Sequence, residues 1–361
     1  MSAQAQQAQV FFVALADGAG EEAVLAGLKK LFGRAGISKV VDPGDLVGIK
    51  LHVGEEHNTT HVSPALIREL VTEVKKVRGL PFLVETSTLY RGERENAVKH
   101  LLHGHKHGFG IERVGAPMIM ADGLLGDSEL EVEINGELNK SVMIAREAMT
   151  ADALIAVSHP TGHLGTGLGA CIKNLGMGLA SRKGKMRQHS QMNPRVKADH
   201  CRFCKKCMQW CPQEAITEVK GKAYINEERC FGCGECLAVC GFGAIKYDWN
   251  QESAVLQKNM AEHAYGVVKN KQGKCFFLNV LINMTKDCDC LDANQKKFLP
   301  DLGILASTDP VAIDLATLDL TARLNGKNLA QLAHPRLDPM VQLRHAADLG
   351  LGGLKYDLIE V

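Results

Sequence analysis

The chain has 361 residues, 45 % hydrophobic and 23 % charged, enough for one large domain or two ordinary ones with a proper core. Lysine and arginine number 42 against 41 aspartate and glutamate, which supplies no global field for nucleic acid. No apolar run approaches the roughly 20 residues that a membrane helix needs, so neither a nucleic-acid nor a membrane partner is expected.

In chain order, Met1 to Gly20 carries no basic n-region and only a short apolar run, so nothing marks secretion and a cytoplasmic chain is expected. Val10 to Ala16 reads as a strand and Ala19 to Gly33 as a helix with Leu25, Leu28, Leu31 and Phe32 on one face. Leu46 to Val53 reads as a second strand, followed by Ser63 as N-cap and Pro64 at the first position of a helix to about Val77. Pro81 to Thr86 and Ala153 to Ser158 read as further strands, with a helix at Arg94 to Leu102 between them. Beyond a cysteine-rich segment, Met260 to Lys269 reads as helix, Phe276 to Ile282 and Leu302 to Ala306 as strands, and Asp309 to Leu324 as helix. Strands alternating with helices predict an α/β fold with a largely parallel sheet.

Polar strings punctuate these elements. Lys50 lies in an apolar strand, where a lysine is costly unless paired with an anion or a carboxylate. A catalytic role, together with His52 in the loop His52 to His61, and a structural pair with Glu85 both stay open. The glycine-rich stretch Ser158 to Asn174 follows a strand and opens a helix, which suits a small anionic ligand with Lys173 as countercharge. It matches neither a dinucleotide fingerprint nor the Walker lysine spacing. His100, His103, His105 and His107 suggest a metal tract, but three of them follow the helix in a Gly-containing stretch, so a solvated loop is expected. Arg182, Lys183, Lys185, Arg187, Lys197, Arg202, Lys205 and Lys206 form a basic run, either a solvated surface or a docking face for a redox partner such as a ferredoxin or reductase.

Eight cysteines fall in two matching runs, each spaced C-x2-C-x2-C-x3-C. Three thiolates of such a run reach one cube while the fourth has already turned away toward a second. The reading is therefore two [4Fe–4S] clusters, one on Cys201, Cys204, Cys207 and Cys240, the other on Cys230, Cys233, Cys236 and Cys211. Ala215-Ile216 recurs as Ala244-Ile245 at the same offset, an internal repeat. A single zinc site would not use a third and fourth cysteine in each run, and disulfides would need an oxidising compartment. Residues 196–250 are expected to be a bacterial-type dicluster ferredoxin module (α+β), inserted between host segments 1–195 and 251–361.

Cys288-Asp289-Cys290 stands apart from both runs. Two cysteines separated by one residue in an extended segment point the same way, so they suit a third metal site or a redox-active thiol pair, with inert burial as the plain alternative. His189, Cys171 and Cys275 are candidates to complete such a site.

The strings Ile49 to Glu55 with Thr59-Thr60, Val84-Glu85-Thr86 with Leu89-Tyr90, Ile172 to Gly178, Cys288-Asp289-Cys290 and Ser307 to Asp314 together resemble the uncharacterised iron–sulfur proteins of the DUF362 family. The resemblance covers nearly the whole chain and implies a host domain plus two clusters, with no general activity to carry over. Three functions follow as expectations. In the first, the clusters relay electrons to or from a substrate or metal in the host domain near Lys50, His52, Lys173 and Cys288, which would make the chain an oxidoreductase. The second is a non-catalytic electron carrier, and the third a metal or cluster handling protein.

Overall fold

The computed structural model describes residues 7–189, 194–211, 213–230, 236, 240–246, 249–271 and 273–361. Its strands are β1 (Ala8–Ala14), β2 (Leu46–Lys50), β3 (Leu80–Glu85), β4 (Met118–Met120), β5 (Glu129–Glu133), β6 (Ser141–Ala145), β7 (Ala153–Ser158) and β8 (Thr161–His163). They continue with β9 (Gly167–Gly169), β10 (Arg195–Val196), β11 (Ile216–Val219), β12 (Lys222–Ile225), β13 (Ile245–Lys246), β14 (Cys275–Leu281), β15 (Gly303–Ser307) and β16 (Tyr356–Glu360).

Among the described residues, eight strands make one sheet in the order β16-β1-β15-β14-β7-β2-β3-β4. Only the two pairings made by β15 are antiparallel, so the expected largely parallel α/β sheet is present. The continuous apolar runs have a direct cause. Along β7, Leu154 and Ala156 enter one hydrophobic core while Ala153, Ile155 and Val157 enter the other, so no position faces water. Helices Glu21–Ala35 and Pro64–Lys76 cover one face. Helices Cys171–Gly176, Trp249–Val268, Pro310–Asn325 and Met340–Asp348 cover the other.

The helix starts follow the capping chemistry of their sequences. Ser63 Oγ accepts the Leu66 N–H at 3.2 Å with Pro64 at the first position. Asp309 is itself the cap of Pro310–Asn325, accepting the Val311 and Ala312 N–H groups at 2.9 and 2.8 Å. The helix expected from Arg94 begins only at Ala97, because Asn96 caps it through the Lys99 N–H. It carries His100 and His103 inside the fold, 0 % and 1 % exposed, which corrects the solvated loop expected for His103.

Among the described residues, the cysteine-rich segment gives no strand to the large sheet. Its strands pair locally, β10 with β13 and β11 with β12, over a small core of Ile216, Ala223, Ile225, Ala244 and Ile245 against cysteines. Among the described residues, no helix is long and apolar enough to cross a membrane.

One buried carboxylate ties the glycine-rich loop to this frame. Asp314, on the helix Pro310–Asn325, accepts the Cys171 and Ile172 N–H groups at 2.8 and 2.9 Å and the Asn279 amide at 2.8 Å. Asp314→Ala leaves those donors orphaned in a dry site and should cost about 3 kcal/mol in a denaturant titration. Burial lifts the Asp314 pKa on folding from 3.8 to about 6, so its contribution is full below pH 4 and shrinks as the pH rises through 6. The cost of the substitution should therefore be larger at pH 4 than at pH 7.

Candidate functional site

Neighbouring strands β14, β7, β2 and β3 run parallel, so their carboxyl ends open at one edge of the sheet. The loops that leave them carry most of the polar strings read from the sequence. Lys50 closes β2, Glu85 closes β3, Lys173 follows β7, and Cys288, Asp289 and Cys290 follow β14.

The β2 and β3 ends share a buried ion network. Lys50 is 1 % exposed and its Nζ donates to Glu85 Oε1 at 3.0 Å and to the Leu51 carbonyl. Burial pulls the Lys50 ammonium below its ordinary value against the opposing pull of Glu85. Arg94 Nη1 lies 2.7 Å from both Glu55 Oε1 and His52 Nε2, and the Tyr90 hydroxyl donates to Glu55 Oε1 at 2.6 Å. Burial, then the charges of Arg94, Lys50 and Lys173, hold His52 well below its usual pKa, so the ring is neutral. Arg94 gave no signal in the sequence beyond an arginine at a helix start.

Lys173 has different company. Its Nζ sits 3.6 Å from Cys288 Sγ and 3.9 Å from Cys290 Sγ, and among the described residues it bonds to no carboxylate. Burial draws its ammonium down to about 8. Cys288 and Cys290 are joined to each other as a disulfide. One ring nitrogen of His163 lies within 4.8 Å of both sulfurs, whereas His189, Cys171 and Cys275 do not complete that set. With the disulfide closed, neither sulfur is a thiolate, so a metal on this trio requires the reduced form. Asp289 turns away from Lys173, accepting from Asn58 at 3.2 Å and pairing with His159 Nδ1 at 2.9 Å. His163 and Asp289 lay inside strings that the sequence singled out, but their partners come from other loops and left no local pattern.

In the cysteine-rich segment, Cys201, Cys204, Cys207 and Cys240 line one pocket, together with Phe203 and Phe242. Ala215 N–H donates to Cys211 Sγ and Ala244 N–H to Cys240 Sγ, each at 3.3 Å, the same contact in both halves of the repeat. Burial pushes the Cys240 thiol up, but the backbone N–H groups of Phe242, Ala244, Ile245 and Gly243 outweigh it and hold the pKa below its ordinary value. Four sulfurs around one pocket, with N–H donors aimed at them, fit an iron–sulfur cluster. Cys211, Cys230 and Cys236 pack on the same small core, and Cys233 lies outside the described residues.

The basic run does not form one face. Lys185 points inward, donating to Thr86 Oγ1 at 2.6 Å and to the Ala180 carbonyl at 2.8 Å, while Arg202, Lys205 and Lys206 are exposed beside the cysteine pocket. Arg91, from the loop after β3 that also carries Tyr90 and Arg94, stacks its guanidinium 3.1 Å over the Trp210 ring. Trp210 stands next to Cys211, so this contact joins the cysteine-rich segment to the loops at the sheet edge.

The family described as Domain of unknown function (DUF362) matches residues 47–319, and the chain belongs to it. Over short segments the chain is similar to an uncharacterized ferredoxin of Methanocaldococcus jannaschii, 45 % identical over 47 residues, 12 % of this chain and 28 % of that one. It is also similar to the electron transport protein HydN of Escherichia coli, 40 % identical over 48 residues, 13 % of this chain and 27 % of that one. The chain thus spans less than a third of either relative. Among solved structures it is similar to the lactate racemase apoprotein from Thermoanaerobacterium thermosaccharolyticum, with TM-score 0.38 and 12 % identity, over 76 % of this chain and 50 % of that one.

The Lys50–Glu85 pair generates a stability test. Glu85→Gln leaves a buried ammonium without its counter-ion and should cost about 3–5 kcal/mol, whereas Lys50→Met combined with Glu85→Leu should recover most of that loss. Chemical denaturation of Glu85→Gln and of the double variant measures the difference.

Proposed function

We propose that this DUF362 member is an iron–sulfur electron-transfer protein with two [4Fe–4S] clusters, exchanging electrons with a redox site at the sheet edge around Lys173, backed by Lys50 and His52. Cys201, Cys204, Cys207 and Cys240 would hold one cluster, and Cys230, Cys233, Cys236 and Cys211 the other. When bound, the clusters supply single-electron transfer. The ferredoxin and electron transport relatives support the iron–sulfur part of this reading.

The observation that carries the relay is the Arg91–Trp210 stack. It sets Cys211 beside the loop whose Arg94 binds Glu55 and His52, and His52 in turn feels the charge of Lys173. A pure carrier has no need for such a junction, nor for a lysine drawn down toward neutrality beside two sulfurs. Under this reading the chain is an oxidoreductase whose substrate meets Lys173, with the His52 and His163 imidazoles held neutral near it. The exposed Arg202, Lys205 and Lys206 favour an acidic electron-transfer protein as the external partner.

Anaerobic protein should contain about eight iron and eight sulfide, and Cys240→Ser should remove the cluster signal of the first run although Cys240 belongs to the second. Zinc with no sulfide would overturn the cluster reading. Coulometric reduction then separates relay from carrier. Two clusters alone accept about two electrons, one each, while a redox site in the α/β domain raises the count. A count of about two, with both clusters intact, leaves the carrier. Lys205→Glu combined with Lys206→Glu should slow electron exchange with an acidic partner, most strongly at low salt.

A further inference from the structure

The sulfur pair beside Lys173 is asymmetric. Cys288 is 5 % exposed while Cys290 keeps part of its surface open. The Cys290 N–H donates to Cys288 Sγ at 3.4 Å, and Lys173 Nζ stands nearer Cys288 Sγ, at 3.6 Å, than Cys290 Sγ, at 3.9 Å. The carboxylate between them, Asp289, is held on Asn58 and His159 and bonds to neither sulfur nor Lys173. Thr161 Oγ1 is buried without a hydrogen-bond partner. A methyl group added to Gly169 would come within 3.2 Å of that oxygen, 3.4 Å of Lys173 Cδ and 3.7 Å of Cys288 Cβ, so an unspent polar atom faces the same small space as the lysine and the sulfur.

We propose that Cys288 and Cys290 form a two-electron dithiol–disulfide centre, in which an incoming thiolate attacks Cys290 and Cys288 leaves toward Lys173. The proposal deepens the relay reading, because it names the group that takes the electrons at the sheet edge. In the reductive direction, one thiolate of a dithiol bonds to Cys290 Sγ, and the electron pair of the Cys288–Cys290 bond leaves on Cys288 Sγ as a thiolate. The Cys290 N–H and the Lys173 ammonium receive that charge. The second thiolate of the reductant then attacks its own sulfur in the mixed disulfide, closes the reductant's disulfide and releases Cys290. Two electrons pass to the pair, and the two thiol protons of the reductant end on Cys288 and Cys290. When bound, two reduced clusters would supply the same two electrons singly, with two protons drawn from solvent. Thiol compounds are therefore the substrate class that the site fits.

The test uses the cluster-loaded full chain under anaerobic conditions, poised in buffers of oxidised and reduced dithiothreitol and quenched with N-ethylmaleimide. The tryptic peptide from Asp287 to Lys296 contains Cys288 and Cys290 as its only cysteines. Mass spectrometry should find it unlabelled at the oxidising end and doubly labelled at the reducing end, with iron and sulfide unchanged. Lys173→Met should slow its reduction roughly tenfold, with Lys173→Arg restoring most of the rate, because the leaving thiolate loses and regains its cation. The extra electrons found by coulometry should vanish in Cys288→Ser. A peptide that is doubly labelled in every buffer, or in none, overturns the proposal while leaving the clusters in place. So does a Lys173→Met rate equal to that of the native chain, or stoichiometric zinc lost on Cys288→Ser, which would make the trio with His163 a metal site. Loss of iron and sulfide from the native chain would instead sink the relay reading.

Discussion

Four adjacent parallel strands that end together impose the constraint from which the rest of the molecule follows. Helices cover both faces of β14, β7, β2 and β3, so the loops leaving their carboxyl ends meet one another instead of water. Charged groups caught there must satisfy each other, since an isolated buried charge costs several kcal/mol. Lys50 with Glu85 and Arg94 with Glu55 do so as ion pairs, while Lys185 spends its donors on Thr86 Oγ1 and the Ala180 carbonyl. Lys173, like Lys185, bonds to no carboxylate among the described residues; its bonding partners are two sulfurs, with Asp289 acting on it only through its charge.

Much of this frame was legible in the sequence, for physical reasons that differ from element to element. Strands buried on both faces must be apolar throughout, so Ala153–Ser158 and Cys275–Leu281 declared themselves. Caps are local chemistry, so Ser63 could be read in place. The edge strand Tyr356–Glu360 and the strand Glu129–Glu133 were not legible, since a partly exposed strand with charged residues has the composition of a loop. Nothing in Gly303–Ser307 shows that it runs antiparallel to both neighbours, because strand direction is set by the connections around it.

The site shows the same division. Cysteine spacing is fixed by the cofactor it serves, so both runs carried their meaning locally. The Cys288-Asp289-Cys290 motif also announced that two sulfurs share one side of the chain. What it faces was hidden, because His163 and Lys173 arrive from the loop after β7, and the Asn58 that holds Asp289 from the loop after β2. His103 misled for the same reason, because its partner, the Gly54 carbonyl, lies 49 residues away in the chain.

The two kinds of sulfur in this protein are then distinguished by their surroundings rather than by the residue. In the cysteine-rich segment, sulfur is met by backbone N–H groups, fixed dipoles that stabilise a thiolate without adding a formal charge or a mobile proton. That environment suits permanent ligation, in which the thiolate never leaves the metal. At the sheet edge a single backbone N–H is joined by a lysine whose proton is loosely held. A sulfur there can gain and lose charge, because its neighbour can both balance an anion and exchange a proton. Arg91 on Trp210 joins the two environments.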